Sequence, residues 1–317
     1  MTLNSRARIA GVLLASSALI AAANVAYANG QGTPIEPEPA PAPTVLEPSA
    51  PAPMTPAPAP QRSSSWSGLY VGGHLGYGWS AENDDETFLF DTDLDGVYGD
   101  TVFTSAVPPA DAFSPGFCGG AATSTANTAC EDDEGGFDGG LRLGYDWDLG
   151  GFVIGALVEG SFNDMSDSVS GFSTTPASYT MTRELNSLFA ARLRAGFAFD
   201  NVLIYGTGGY AYGDVERDFT TTNTANTFTE FNDDGIDGYQ IGGGAEYMIG
   251  DGLSFGVEYI YTDLKDDEYF VAVGPGTAPP TNPFLIDNPA GTNIQRSDDS
   301  FDIHSVRATM SYRFGGM

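Results

Sequence analysis

The 317-residue chain carries 12 Lys and Arg against 42 Asp and Glu, a formal charge of −30. That sign excludes a nucleic-acid binder, because phosphate backbones demand a basic face. Its 41 Gly, 15 Tyr and 20 Phe suit many short strands with aromatic ends.

The chain opens with Arg6 and Arg8, followed by an uncharged apolar run from Ile9 to Val25. Ala26-Tyr27-Ala28 then places small residues where a signal peptidase reads, so residues 1–28 are expected to be an export signal with Asn29 first in the mature protein. Without them, ten basic residues face 42 acidic ones and the net charge becomes −32. Residues 29–65 form a linker in which Pro recurs every two or three positions, notably over 31–62. Such a segment cannot build a packed core and is expected to be a disordered, extended tether on the periplasmic side. The simplest reading is a spacer that holds nothing, and the sharper one a tether that touches the cell wall or a periplasmic partner.

From Trp66 to Phe314 the chain turns to apolar residues alternating with polar or small ones, and residues 66–317 are expected to form one domain. Eight stretches show this period of two, each about as long as the ~9–11 residues that a tilted strand needs to cross hydrocarbon. The first sets Leu69, Val71, Leu75, Tyr77 and Trp79 against Tyr70, Gly72, His74, Gly76 and Gly78. The second sets Phe137, Leu141, Leu143, Tyr145 and Trp147 against Asp138, Arg142, Gly144 and Asp146. The third sets Phe152, Ile154, Ala156, Val158 and Phe162 against Gly155, Glu159 and Ser161. The fourth sets Leu185, Phe189, Leu193, Phe197 and Phe199 against Asn186, Arg192, Arg194 and Gly196. In the fifth, either Leu203 and Tyr205 or Ile204 and Tyr210 lead the apolar face. The sixth sets Tyr239, Ile241, Tyr247 and Ile249 against Gln240 and Glu246, and the seventh Phe255, Val257 and Tyr259 against Glu258. In the last, Val306, Ala308, Met310, Tyr312 and Phe314 oppose Arg307, Thr309, Ser311 and Arg313.

The pattern predicts an all-β fold, an eight-stranded antiparallel transmembrane barrel with an apolar exterior. Its inner face would hold five arginines (Arg142, Arg192, Arg194, Arg307, Arg313) and five acids (Asp138, Asp146, Glu159, Glu246, Glu258). Balance inside and imbalance outside is what a closed lumen requires, since an unpaired buried charge costs several kcal/mol. Glu246 and Glu258 flank one turn, and Arg307 is expected to lie between them, with Arg192 and Arg194 as alternatives. Tight links at 148–151, 200–201 and 250–252 alternate with long acidic connections at roughly 81–135, 163–182, 214–235 and 263–301. Short periplasmic turns and long extracellular loops are the outer-membrane pattern.

WSGLYVGGHLGYGW at 66–79, RLRAGFAF at 192–199, LIYGTGGYAYG at 203–213 and GGGAEYMIGDGLSFGVEYIYTDL at 242–264 resemble the porin-like outer-membrane barrels of alpha-proteobacteria, within the wider OmpA-type eight-stranded group. The resemblance covers nearly all of 66–314. It implies a surface protein with a structural, antigenic or adhesive role, embedded in outer-membrane lipid and lipopolysaccharide. It also implies a C-terminal strand read by the barrel-assembly machinery, and some members are described as haem-binding. This chain departs from the family in its long first loop and in the Gly315-Gly316-Met317 extension after Phe314.

Other candidates carry less. Cys118 and Cys130, the two cysteines, are expected to form a local disulfide in an oxidising compartment. Asp91, Asp93 and Asp95 open a calcium-loop pattern, but Val102 stands where a bidentate acid is required. Tyr98, Tyr179, Met181 and Tyr269 are the residue types that ligate haem. His304-Ser305 is the only pair that suggests a lipid-modifying enzyme, and adjacent strand residues point to opposite faces. No catalytic, metal or cofactor residue is therefore assigned. The expected protein is a monomeric, non-enzymatic surface barrel, with a small-solute channel as the alternative and a lipid-modifying enzyme as the more distant one.

Overall fold

A computed structural model of the chain describes residues 66–81, 85–126, 130–133, 135–231, 235–250, 252–266 and 269–314. The expected export signal, the tether, Asp251 and residues 315–317 lie outside this set. Eight long strands dominate: β1 (Gly68–Ser80), β2 (Gly136–Asp148), β3 (Phe152–Ser173), β4 (Ala177–Phe199), β5 (Val202–Thr221), β6 (Ile236–Ile249), β7 (Leu253–Lys265) and β8 (Ser300–Phe314). Each pairs antiparallel with the next. The ladder from Leu69 opposite Phe314 to Ser80 opposite Ile303 joins β1 to β8 and closes the ring. Closure removes the free edges that would otherwise leave backbone groups unpaired in lipid.

Alternation decides which side chains face the bilayer. Leu75, Leu141, Leu193, Ile241, Val257 and Met310 are exposed on the outer wall, whereas Arg142, Arg192, Glu246, Glu258 and Arg307 are buried inside. On β5 the ambiguity resolves in favour of Ile204 and Tyr210, which face out; Leu203 and Tyr205 are buried in the bore. At the end of the short connections the turns are built locally. Asp148 Oδ1 accepts from the N–H groups of Gly150 (3.0 Å) and Gly151 (2.9 Å), both at positive φ.

Two expectations need correction. Leu185 was expected on the lipid face and Asn186 inside, but Leu185 is 1 % exposed within the bore and Asn186 hydrogen-bonds the exposed Glu216. The β4–β5 register shifts between Leu185 and Ser187, and the extra residue turns everything beyond it to the opposite face. The connections expected at 163–182 and 214–235 are also shorter than their polar sequences suggest. β3 and β4 continue as a hairpin until only residues 174–176 connect them, and β5 runs to Thr221.

These extensions carry a folded cap. A four-stranded sheet of Thr227–Phe231, Phe270–Gly274, Thr292–Arg296 and Phe88–Asp91 packs beside them. Phe90, Phe113, Val169, Tyr179, Met181, Val271, Phe284 and Ile294 share one apolar core. Gly116–Gly119 pairs with the edge of β3, and Cys118 there is bonded to Cys130, with Cα atoms 6.5 Å apart. Such a short loop gives at most ~3 kcal/mol through chain entropy, so the bridge is a local staple of the first loop. Because the ring has no edge from which detergent can start unfolding, membrane-extracted protein should keep its fold in SDS at room temperature. Boiling should change its electrophoretic mobility, and identical mobility before and after would contradict the closed ring.

Candidate functional site

The interior is stratified. At the end of the tight turns Trp66, Val153, Leu203, Tyr205 and Met248 form an apolar floor. Arg313 locks Trp66 in place, donating from Nε to its carbonyl (2.9 Å) with the guanidinium 5.2 Å from its ring centre.

Above the floor all ten expected lumen charges are buried. Glu159 is the hub: it meets Arg307 Nη1 at 2.6 Å, Arg142 Nη2 at 2.9 Å and Arg192 Nη2 at 3.0 Å. Glu258 accepts from Arg142 (2.8 Å), Arg192 (3.5 Å) and the Tyr205 hydroxyl (2.9 Å). Glu246 accepts from Arg194 Nη1 (2.6 Å) and Ser254 Oγ (3.2 Å). Asp146 is shared by Arg194 and Arg313, while Asp138 joins Arg307 to His74, whose Nε2 lies 3.2 Å away. Room for these long side chains comes from glycine: a Cβ on Gly144 would lie 2.4 Å from the Tyr70 ring.

Arg307 therefore does not sit between Glu246 and Glu258 as expected. It stands opposite Glu258 in the ladder and pairs with it at 3.9 Å, yet its closer ion pairs reach Asp138 and Glu159 on β2 and β3. In so narrow a bore, contacts across the lumen are as short as those between adjacent strands. The expected alternatives, Arg192 and Arg194, serve the two glutamates instead, together with Arg142.

A second apolar layer, including Met165, Leu185, Leu188, Val215, Ile236 and Phe301, closes the bore above these charges. Above it lies another ionic layer that no motif announced. Arg296 grips Glu86 with two bonds (2.6 and 2.7 Å) and reaches Asp167 (2.6 Å), which also accepts from Arg183 (2.7 Å); Arg217 pairs with Asp266 (2.6 Å). Burial favours the neutral acid at Asp167, but Arg183 and then Arg296 hold its carboxyl below the usual carboxylate range. Burial pushes the nearby Asp133 carboxyl up to about 7, despite the hydrogen bond it accepts from the Ser168 N–H. The signal for this layer was scarcity: all eight described arginines are buried. Lys265 is the single lysine of the chain, and its side chain is about half exposed.

Of the remaining candidates, the calcium-loop acids regroup, and the others do not come together. Asp91 and Asp93, with Asp100 in place of the expected Asp95, bring one carboxylate oxygen each within 4.8 Å of one another, a group that could hold a metal ion, and the chain turns there through Leu94 and Gly96 at positive φ. Asp91 accepts from the Asp95 and Gly96 N–H groups, and Asp100 from Thr92. Tyr179, Met181 and Tyr269 are buried in the cap core and Tyr98 is not part of it, so the four present no shared ligand set. His304 faces out, stacked against Trp79 with Nδ1 2.7 Å from the Tyr259 hydroxyl, while Ser305 points inward to Arg307.

Residues 49–314 match the family described as "Outer membrane protein beta-barrel domain". The chain belongs to that family. It is 29 % identical over 187 residues to the 31 kDa outer-membrane immunogenic protein of Brucella melitensis, covering 57 % of this chain and 67 % of that one. It is 30 % identical over 164 residues to the 22 kDa outer membrane protein of Rhizobium leguminosarum, covering 51 % and 70 %. Among solved structures it is similar to the outer membrane protein OprG of Pseudomonas aeruginosa, with a TM-score of 0.42 and 10 % identity over 80 % of this chain and 99 % of that one. The protein is thus an outer-membrane β-barrel, and the layers above describe what fills it.

Two outcomes follow. Arg194→Met leaves Glu246 without its arginine and should destabilise the barrel by ~3–5 kcal/mol. Adding Glu246→Gln should restore part of that loss, read by urea unfolding in lipid vesicles. For Asp133 the folded carboxyl titrates above its unfolded value of ~3.9, so the folded state holds the proton more tightly. Cap stability should fall as pH rises from about 4 to about 7. Asp133→Asn should flatten that slope, measured as protease resistance of the cap against pH.

Proposed function

We propose that this barrel is a non-enzymatic, non-conducting scaffold that presents the folded cap at the cell surface. The observation that carries the reading is the bracketing of a layer of ion-paired arginines and acids by two apolar layers. A continuous water path has to cross both, and eight strands enclose only enough space for their own side chains. The cap lies at the end opposite the tight turns, the end that faces outward in outer-membrane barrels. The Brucella relative carries the word "immunogenic" in its name, which fits display of that end to the outside. Surface structure and contact is then the role, and no cofactor is required for it.

The partners follow from the surfaces. Lipid and lipopolysaccharide cover the apolar belt, with the aromatic residues Trp79, Trp147, Tyr145, Tyr261 and Tyr312 near the strand ends. The assembly machinery reads β8, which carries Phe314 at its end, and the Pro-rich segment 29–65, outside the described residues, is the part proposed to contact the cell wall. A closed ring leaves no edge for a second copy, which favours a monomer. In planar lipid bilayers the wild-type protein should show no stable open level. Steady conductance would move the assignment to the small-solute channel. An epitope inserted in the exposed segment 105–110 should be labelled on intact cells; labelling only after lysis would reverse the orientation.

A further inference from the structure

At the far tip of the cap, the β3–β4 turn, the segment after β5 and the residues around Pro283 enclose a cavity of about 230 Å³. It lies eleven residues beyond Phe162 on β3, about 35 Å along the strand at ~3.3 Å per residue. Its floor is three aromatic rings: Phe113 and Tyr179 are 5.4 Å apart, Phe113 and Phe284 5.9 Å, and Tyr179 and Phe284 5.8 Å. Its rim carries the exposed Thr175 and Thr224 and the amide of Asn223.

Charge is what sets this cavity apart. The chain has 42 acids, yet no ionisable carboxylate, lysine or arginine lines it. A cationic ligand would find no counter-charge there, and an anionic one would have to cross a strongly negative surface. Tyr179, whose hydroxyl is pushed upward in pKa by burial, stays a neutral hydrogen-bonding group.

The walls are also set in advance. Asn223 donates to the Tyr179 hydroxyl (3.1 Å) and to Asn226 Oδ1 (3.0 Å), which accepts from Asn282 as well (3.1 Å). Asn223 Oδ1 accepts from the Ala225 N–H (2.9 Å). A site held open by its own hydrogen bonds spends little free energy on ordering when a ligand enters. Its volume equals about eight waters at ~30 Å³ each, below the ~300–1,000 Å³ usual for drug-sized ligands. A haem is therefore too large for it.

We propose that this cavity binds one neutral pyranose ring, either a free sugar or the terminal residue of a glycan. Such a ring offers a C–H face to the aromatic floor and hydroxyls to the threonine and amide rim, and it carries no charge. The proposal deepens the surface-contact reading by naming the chemical class that the cap touches.

The test uses the full mature chain in lipid nanodiscs, free of sugar-headed detergent. Saturation-transfer NMR is recorded with methyl α-glucoside, methyl α-galactoside, methyl α-mannoside and N-acetylglucosamine, and with glucuronate and glucose 6-sulfate as charged controls. At least one neutral ring should bind in the millimolar range, and both charged controls should fail. Thr224→Trp and Thr175→Trp fill the mouth from exposed positions and should each abolish the signal, while heat-modifiable migration shows that the barrel remains folded. Equal affinity for a methyl glycoside and for oligosaccharides ending in the same ring assigns a free sugar, and tighter oligosaccharide binding assigns a glycan; both support the site. Absence of binding by every neutral ring, binding that survives both tryptophan variants, or equal binding of the charged controls overturns it. Because the assay uses purified protein, failure here is separate from failure of the surface-labelling experiment.

Discussion

Everything inside this barrel depends on the requirement that a charge taken out of water be paired. An eight-stranded ring leaves no room for a hydration shell around an arginine, and an isolated buried ion costs several kcal/mol. The described residues meet this by placing all eight of their arginines in the interior, buried among acids from several strands, with Lys265 left half exposed. The exposed charge that remains is overwhelmingly acidic. Segregation of this kind is what reconciles a chain of −30 with a nearly neutral bore.

Pairing alone does not fill the bore, and here the layering matters. Trp66 and Leu203 seal one end of the charge layer, and Leu188, Val215 and Phe301 seal the other. Between apolar seals the effective dielectric is low, so each ion pair is stronger and each missing partner more costly. Glu159 illustrates the consequence. Three guanidiniums lie within 3.0 Å of it, binding β2, β4 and β8 to β3 through one carboxylate. A network of that connectivity fixes the cross-section of the barrel as well as filling it.

Much of this was legible in the sequence because a strand's period is two and a membrane admits few exceptions. Leu141 and Arg142, or Met310 and Arg307, reveal their faces by parity alone. Parity fails wherever a residue is inserted, which is why it puts Leu185 and Asn186 on the wrong sides of β4. Partner choice was less legible, since Arg307 has a ladder neighbour in Glu258 but its nearest carboxylates lie on β2 and β3. The cap was illegible for a different reason. Segments such as 163–173 are rich in Ser and Asp, and polar alternation reads as a solvated loop until a second sheet supplies something to pack against. Glu86 and Arg296 are 210 residues apart, a pairing that no local pattern encodes.

The same long strands constrain what the cap can do. β3, β4 and β5 are 22, 23 and 20 residues long, and each passes without interruption from the lipid-facing ring into the cap. A lid needs a hinge made of a few residues free to change φ and ψ. Here the crossing is a paired ladder, irregular only at the bulges near Phe162 and Leu185, where Met165 and Leu185 are themselves packed in the apolar layer. Swinging the cap aside would break backbone hydrogen bonds and open that layer to water at the same time. The architecture therefore favours rigid presentation over gating. A small pocket whose walls are already hydrogen-bonded belongs on such a support, because a site that must recognise a weakly binding ligand gains most from losing no order when it does so.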